Sequence, residues 1–432
     1  MNFVISLFLL LFAFSLEAKG KKFSEDSFTV KKVKTYGFSK TKPYVIGREF
    51  EFEYGKKYSK ADIEKGLNRL KNTRFFYDLK TSLKGKPGRA KTLKVYGKDR
   101  WTTIPILKFT SGGGVNQFIL GAYDPNVLGR YFELGGQYER LGDTNSGVVW
   151  YRQPWLFGQR ITAYMQAWSI NRTRTIYDNR TDTRQEQAGF LLSRKKFFLS
   201  LKKEWTLNFK TGVLFDYESD SFSEEFIEND LKVLNKSYAR FPSSSEVFFV
   251  GGTLEVGNIQ FNKIFLLDGL SGKFTYKRGI SLMDSALSFD NYLLEFNAYK
   301  SLMFDSTLAF RGQVGSTSSK FKQYEFFLGG FDGVRGFVDG RFSAKNYWLA
   351  NLEFRIPVYS SPWVLVQPVG LADFMGISEN FDKKLGFHAS SVGAGFRLIL
   401  PKVFGLVARF DYAYSFKGNG QAPISFGFQQ FF

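Results

Sequence analysis

The 432-residue chain contains no cysteine. Disulfide frameworks and thiolate metal sites are therefore excluded. It contains a single histidine, His388, so no His-based triad or metal cluster can be assembled. His388 itself reads as a loop residue. No G-x-S-x-G, P-loop or H-E-x-x-H pattern occurs, and no carboxylate pair stands apart from its surroundings. The chain reads as a non-enzyme, with no catalytic residues, no metal and no cofactor. Long apolar runs are also missing. The longest, FVISLFLLLFAFSL from Phe3 to Leu16, falls short of the roughly twenty residues of a comfortable helical span. Followed by Ala18 and then Lys19-Gly20, it reads as a secretory signal peptide, residues 1–18. Met1-Asn2 carries no cation and Leu16 sits where a small residue is preferred, so an uncleaved anchor is the alternative. A mean hydropathy of −0.21 leaves no room for a bundle of membrane helices.

Aromatic residues, by contrast, are abundant: 50 Phe and 22 Tyr. Such an excess suits a barrel with an apolar outer surface and aromatic girdles. From Ile104 to Phe432 the chain is a series of about sixteen short alternating runs broken by turn signals, a count that suits a closed barrel. In one run Leu406, Ala408, Phe410, Tyr412, Tyr414 and Phe416 share a face, and Val407, Arg409, Asp411, Ala413 and Ser415 share the other. A polar segment, Asp216 to Phe241, reads as a long loop. The net charge is +20. Its excess is concentrated between Lys19 and Trp101, where 24 Lys and Arg face 9 Asp and Glu. That basic surface suits acidic segments, anionic headgroups or plain solvation. The secretory start argues against nucleic acid as a partner.

Residues 22–103 read as a small α+β domain. Phe28 to Tyr36 alternates like a strand. Pro43 opens a helix that runs through Phe52. Ser59 and Asp62 cap a second helix, with Ile63, Leu67 and Leu70 as its apolar stripe. Phe75 to Leu79 and Thr92 to Tyr96 are strands.

Four glycines crowd the stretch Leu328-Gly329-Gly330-Phe331-Asp332-Gly333-Val334-Arg335-Gly336-Phe337. Glycine at this density belongs to sharp turns or close backbone approach. Its one permanent cation, Arg335, needs a carboxylate wherever it is buried. Two readings follow: a loop folded into a cavity with Arg335 pinned by an acid, or a surface turn with a solvated Arg. Glu353 shares a face with Asn351 and Arg355 on one later run, and Asp373 is a lone acid in the next. A charge facing lipid is costly, so both acids should face inward.

The LGG-x-x-x-VRGF stretch resembles the signature of the BamA/TamA-type outer-membrane assembly family and its two-partner-secretion relatives. The strand-helix-helix-strand-strand order of residues 22–103 resembles a single polypeptide-transport-associated (POTRA) domain. "DPNVLG" at Asp124 and "QPWLFG" at Gln153 resemble turns of that family's barrel. The resemblance implies a bacterial outer-membrane β-barrel over residues 104–432, with residues 317–343 folded inward and a POTRA domain in the periplasm. It implies that Arg335 is held by Asp373, with Glu353 beside them, on a loop motif of Gly329, Gly330, Val334, Gly336 and Phe337. It implies a docking edge at Phe75, Phe76, Tyr77 and Leu79 for unfolded outer-membrane or secreted polypeptides. First and last strands, about Ile104–Gly112 and Ser425–Phe432, are expected to meet at a seam weakened by Gly112, Gly113 and Gly427. Phe426, Phe428 and the terminal Phe432 resemble an outer-membrane sorting signal. Gly112 and its neighbours read equally as a hairpin turn. The implied function is insertion, assembly or translocation of proteins, with outer-membrane lipid and accessory subunits as further partners. A secretion pore for one dedicated substrate and a passive porin are the alternatives.

Overall fold

A computed structural model describes residues 27–86, 88–112, 115–177, 186–223, 243–261, 265–283, 288–330, 333–379, 386–403, 406–417 and 422–427. The signal-peptide stretch, Gly113, Phe428 and Phe432 lie outside these residues.

The small domain comprises β1 (Phe28–Tyr36), α1 (Pro43–Arg48), β2 (Lys57–Tyr58), α2 (Lys60–Thr73), β3 (Phe76–Lys84) and β4 (Lys91–Asp99). Its sheet runs β2-β1-β4-β3, with β1 and β4 parallel. The Asp62 carboxylate accepts both the backbone N–H and the hydroxyl of Ser59, each at 2.9 Å, which fixes the start of α2. Arg74 ends the helix in a left-handed conformation, φ 62°. Ile63 and Leu70 then pack on Leu93 and Val95 of the sheet. The outer face of the sheet carries Lys34, Tyr36, Lys94, Tyr96 and Lys80 in register across three strands. The expected first helix stops four residues early, at Arg48. Glu51 takes a left-handed φ of 50°, and the freed segment turns Glu49 and Glu51 toward the barrel.

The barrel strands are β5 (Ile104–Gly112), β6 (Val115–Asp124), β7 (Glu133–Leu141), β8 (Thr144–Gln153), β9 (Ile161–Tyr177), β10 (Glu186–Thr206), β11 (Phe209–Ser223), β12 (Ser245–Phe261), β13 (Leu267–Ser281), β14 (Phe289–Ser301) and β15 (Thr307–Thr317). A hairpin, β16 (Phe326–Leu328) with β17 (Phe342–Ala344), follows inside the lumen. The wall resumes with β18 (Asn346–Arg355), the two-residue β19 (Tyr359–Ser360), β20 (Leu365–Ser378), β21 (Gly386–Ile399), β22 (Val407–Lys417) and β23 (Ile424–Gly427). Discounting β19, sixteen antiparallel strands close the barrel, with β23 beside β5. Closure leaves no unpaired edge for lipid to satisfy. Among the described residues no helix is long and apolar enough to cross a membrane.

The period of two sorts the chemistry. On β18, Leu352 and Phe354 face outward, each 41% exposed, while Asn351, Glu353 and Arg355 are fully buried. Two expectations need correction. The segment from Asp216 to Ser223 is not loop but the end of β11. Asp216, Glu218 and Asp220 alternate inward and are neutralised by Arg194 and Lys196 on the adjacent β10 and by Lys277 on β13, at 2.6–3.0 Å. His388 falls within β21, not in a loop.

The helix side of the small domain is clamped to the turns at its end of the barrel. Lys40 bonds Asp124 at 2.7 Å, and Lys42 N–H donates to Gly129 O at 2.9 Å. A Cβ at Gly129 would overlap the Lys40 carbonyl, so the close approach requires glycine there. Trp155 donates to Glu49 at 2.9 Å, and Arg160 bridges Glu49, Glu51 and Glu204. Burial raises the Glu49 pKa, opposed by Arg160 and Arg48. For Glu51, burial is outweighed by hydrogen bonds from Arg160 and Arg69, and its pKa is lowered. The signs are therefore opposite. Glu51 contributes stability above the ordinary glutamate pKa and loses it as pH falls; Glu49 lowers stability as pH rises through its raised value. Docking in the parent should be strongest near the ordinary glutamate pKa, weakening below it as Glu51 takes up its proton and above it as Glu49 loses its own. In Glu49→Gln only the weakening on acidification below the ordinary glutamate pKa should remain, and in Glu51→Gln only the weakening as pH rises above it. Hydrogen exchange of the Gln153–Arg160 turn across that range reads both.

Candidate functional site

Between β15 and β18 the chain enters the lumen. Gly329 and Gly330, at φ 118° and 70°, make the reversal that no β-carbon-bearing residue adopts comfortably. Val334 and Phe337 are buried against Leu349, Met375 and Ile377 on the wall. Gly336, φ 91°, lets the backbone reach across to Ala422, whose N–H donates to Gly336 O at 3.3 Å. These contacts leave Arg335 only 1% exposed.

A guanidinium buried this deeply stays charged and must be paired. Asp373 of β20 accepts three bonds from Arg335: backbone N–H at 2.9 Å, Nε at 2.8 Å and Nη2 at 2.8 Å. Glu353 of β18 accepts from Nη1 at 2.5 Å. The fork of Nε and Nη2 on one carboxylate is the bidentate geometry that fixes orientation as well as charge. Asn351 lies opposite Asp373 in the β18–β20 register. It ties loop to wall, donating to Gly333 O and to Asp373, both at 2.9 Å.

The network is wider than the sequence indicated. Asp411 of β22 lies 3.6 Å from Arg335 and accepts from Arg397 of β21 at 2.5 Å. Arg397 and Arg355 also pair with Glu353, at 3.0 and 2.7 Å. Arg409 lies 3.6 Å from Asp411. A Cβ at Gly395 would overlap the Asp411 carboxylate, so bare backbone on β21 leaves room for the charges. Alternation had placed Arg409 and Asp411 on the inner face. That they join Arg335 depends on strand register, which one sequence does not display.

The base of the same loop is held on the opposite wall. Gln323 donates to Ser243 O at 2.8 Å, and the Tyr324 ring stacks on Arg194 and among Phe249, Phe289 and Phe321. Lys322 and Glu325 pair at 2.5 Å in the interior. The loop thus spans the lumen between two anchors.

The other expected residues are placed as follows. Gly112 is opposite Val115, at the tip of the β5–β6 hairpin. Gly427 and Phe426 pair with Arg409 and Phe410 on β22. The docking-edge expectation needs revision. β3 is an edge strand, but Phe75 precedes it and is 1% exposed, Phe76 is 4% exposed, and Leu79 packs on the core. A bulge between Tyr77 and Lys80, with Asp78 at φ 55°, interrupts the ladder. The regular part of the free edge is Lys80–Lys84.

A sixteen-stranded transmembrane barrel, one POTRA domain and a lumenal loop pinned by an arginine define the class. The sequence matches the Omp85 superfamily domain over residues 126–432 and the surface antigen variable number repeat (POTRA) over residues 28–96, and the chain belongs to the Omp85 superfamily. Among solved structures it is similar to BamA from Haemophilus ducreyi lacking POTRA domains 1–3, with a TM-score of 0.53 and 16% identity over 92% of this chain and 84% of that one. It is also similar to CdiB from Acinetobacter baumannii, with a TM-score of 0.60 and 14% identity over 93% and 73%. For CdiB from Escherichia coli the values are 0.61 and 13%, over 92% and 75%. At these identities the likeness establishes the fold. No curated protein matches the sequence.

Removing Arg335 strands the buried Asp373 carboxylate, a loss of roughly 3–5 kcal/mol. Arg335→Ala and Asp373→Ala should each lower the heat resistance of the folded barrel, read as its shift on semi-native gels. The double variant should fall well short of the summed losses, because the second truncation removes an already stranded charge.

Proposed function

We propose that the protein inserts, assembles or translocates polypeptides at the bacterial outer membrane, without enzymatic activity. In this reading the POTRA domain lies in the periplasm and captures an extended segment along the free edge of β3. Strand addition uses unpaired backbone groups and so accepts many sequences. The first and last strands then part, and a nascent strand pairs with the exposed edge. Unfolded outer-membrane or secreted chains, outer-membrane lipid and accessory subunits are the partners.

The observation that carries the reading is the connection between lock and seam. Arg335 engages Asp411 on β22, whose neighbour in the same charge cluster, Arg409, is the register partner of Gly427 on β23. Gly336 bonds Ala422, which leads directly into β23. Displacing the loop therefore loosens both supports of the last strand. A passive pore has no use for such a linkage, and its lumen would be left open.

Depletion of the protein followed by outer-membrane proteomics tests the reading. Loss of several unrelated barrels is expected. Loss of one secreted protein alone would favour a dedicated secretion pore, and altered solute uptake alone would favour a porin. Arg335→Ala should reproduce the depletion pattern where folded barrel remains.

A further inference from the structure

A cavity of about 470 Å³ lies where the small domain meets the mouth of the barrel. One side is the start of the β3 edge: Phe76, Tyr77 and Leu79. The other side is barrel turn, including Phe261, Phe265 and Pro401. Three cations line it: Lys71, Arg74 and Arg100. The Arg74 guanidinium sits over the Phe261 ring, 4.8 Å from its centre.

Arg100 is the unusual member. It is 8% exposed, its Nε has no hydrogen-bond partner, and among the described residues it forms no ion pair. Both nearby acids are committed elsewhere. Asp99 accepts the N–H groups of Ser39 and Lys40 at 2.6 and 2.8 Å, and Asp78, on the cavity rim, pairs with Lys98 at 3.6 Å. Burial, with Arg74 adding to it, pushes the Arg100 pKa down to about 10. A buried cation without a counter-charge is costly to the fold. In a cavity it marks a place prepared for an anion.

The polarity of β3 identifies what carries that anion. β3 starts at the cavity and runs away from it to Lys84. A strand added antiparallel to it arrives at the cavity by its carboxyl end. A strand added parallel would bring its amino end, and an ammonium would be repelled by three cations. We infer that this cavity binds a carboxylate borne by the carboxyl end of an extended polypeptide added antiparallel to β3. The apolar walls take the adjoining side chain, and Arg100 and Arg74 take the charge. This rests on strand capture by the POTRA edge as proposed above.

The test uses the full chain in lipid nanodiscs and three labelled peptides of alternating Val and Thr. One ends in a free α-carboxylate, one is its C-terminal amide, and one is the amide with a penultimate Asp. By fluorescence polarisation at least one acid-bearing peptide should bind about tenfold tighter than the plain amide, the worth of a charge-assisted hydrogen bond. Which of the two gains tells terminus from side chain. Arg100→Met should erase that preference, leave binding of the amide unchanged, and unfold at the parent's temperature or above. Equal binding of acid and amide would overturn the inference while leaving strand capture intact. Binding of none would remove strand capture itself, and the inference with it. An Arg100→Met variant that keeps the preference, or unfolds well below the parent, would make Arg100 a structural residue.

Discussion

Everything inside this barrel follows from one cation that cannot be neutralised. Arg335 is carried into the lumen by a loop whose neighbours, Val334 and Phe337, prefer wall to water. Once there, its charge has to be met by the wall, and the wall does so from three strands: Glu353, Asp373 and Asp411. Those acids are in turn too many for one arginine, so Arg355, Arg397 and Arg409 close the account. Each carboxylate thereby holds a strand and the loop at once. The result is a fold in which loop position and wall geometry are one variable.

The same logic sets the position of the POTRA domain. Its helices, not its sheet, face the barrel, because the turn after α1 carries Glu49 and Glu51 to Arg160. The basic face with Lys34, Lys94 and Lys80 is left turned away from the barrel. The beginning of β3 is thereby brought to the barrel mouth, and the free edge leads toward it. Neither domain alone has that path.

Much of this was legible in the sequence. Alternation gave the barrel and its inner face, the cap at Ser59 and Asp62 gave α2, and the inward loop came from the family resemblance of the stretch around Arg335, whose residues alone left a surface turn open. Glu353 and Asp373 were found because a charge in an outward position of a membrane strand is too costly. What stayed hidden was governed by pairing across strands. Asp411 and Arg397 look like any inward charges until the pairing of the strands sets them beside Arg335 and Glu353. Asp216, Glu218 and Asp220 looked like loop because their cationic partners are far away in sequence. Phe75 looked like part of the docking edge because strand position was read without the core beneath it; it precedes β3 and is buried.

The two arginine sites differ in a way that separates holding from receiving. At the lock, four guanidiniums meet three carboxylates, and Arg335 alone accounts for five close contacts with acids. A site in which every acid is met by a cation holds its loop or releases it. At the mouth, Arg100 and Arg74 line a cavity whose rim acid, Asp78, pairs with Lys98, while Asp99 is taken up by the backbone at Ser39. Such a site is incomplete until something enters it. A chain that approached along β3 would reach Arg100 first, and Arg335, held by acids of three strands, would yield only to a rearrangement of the wall.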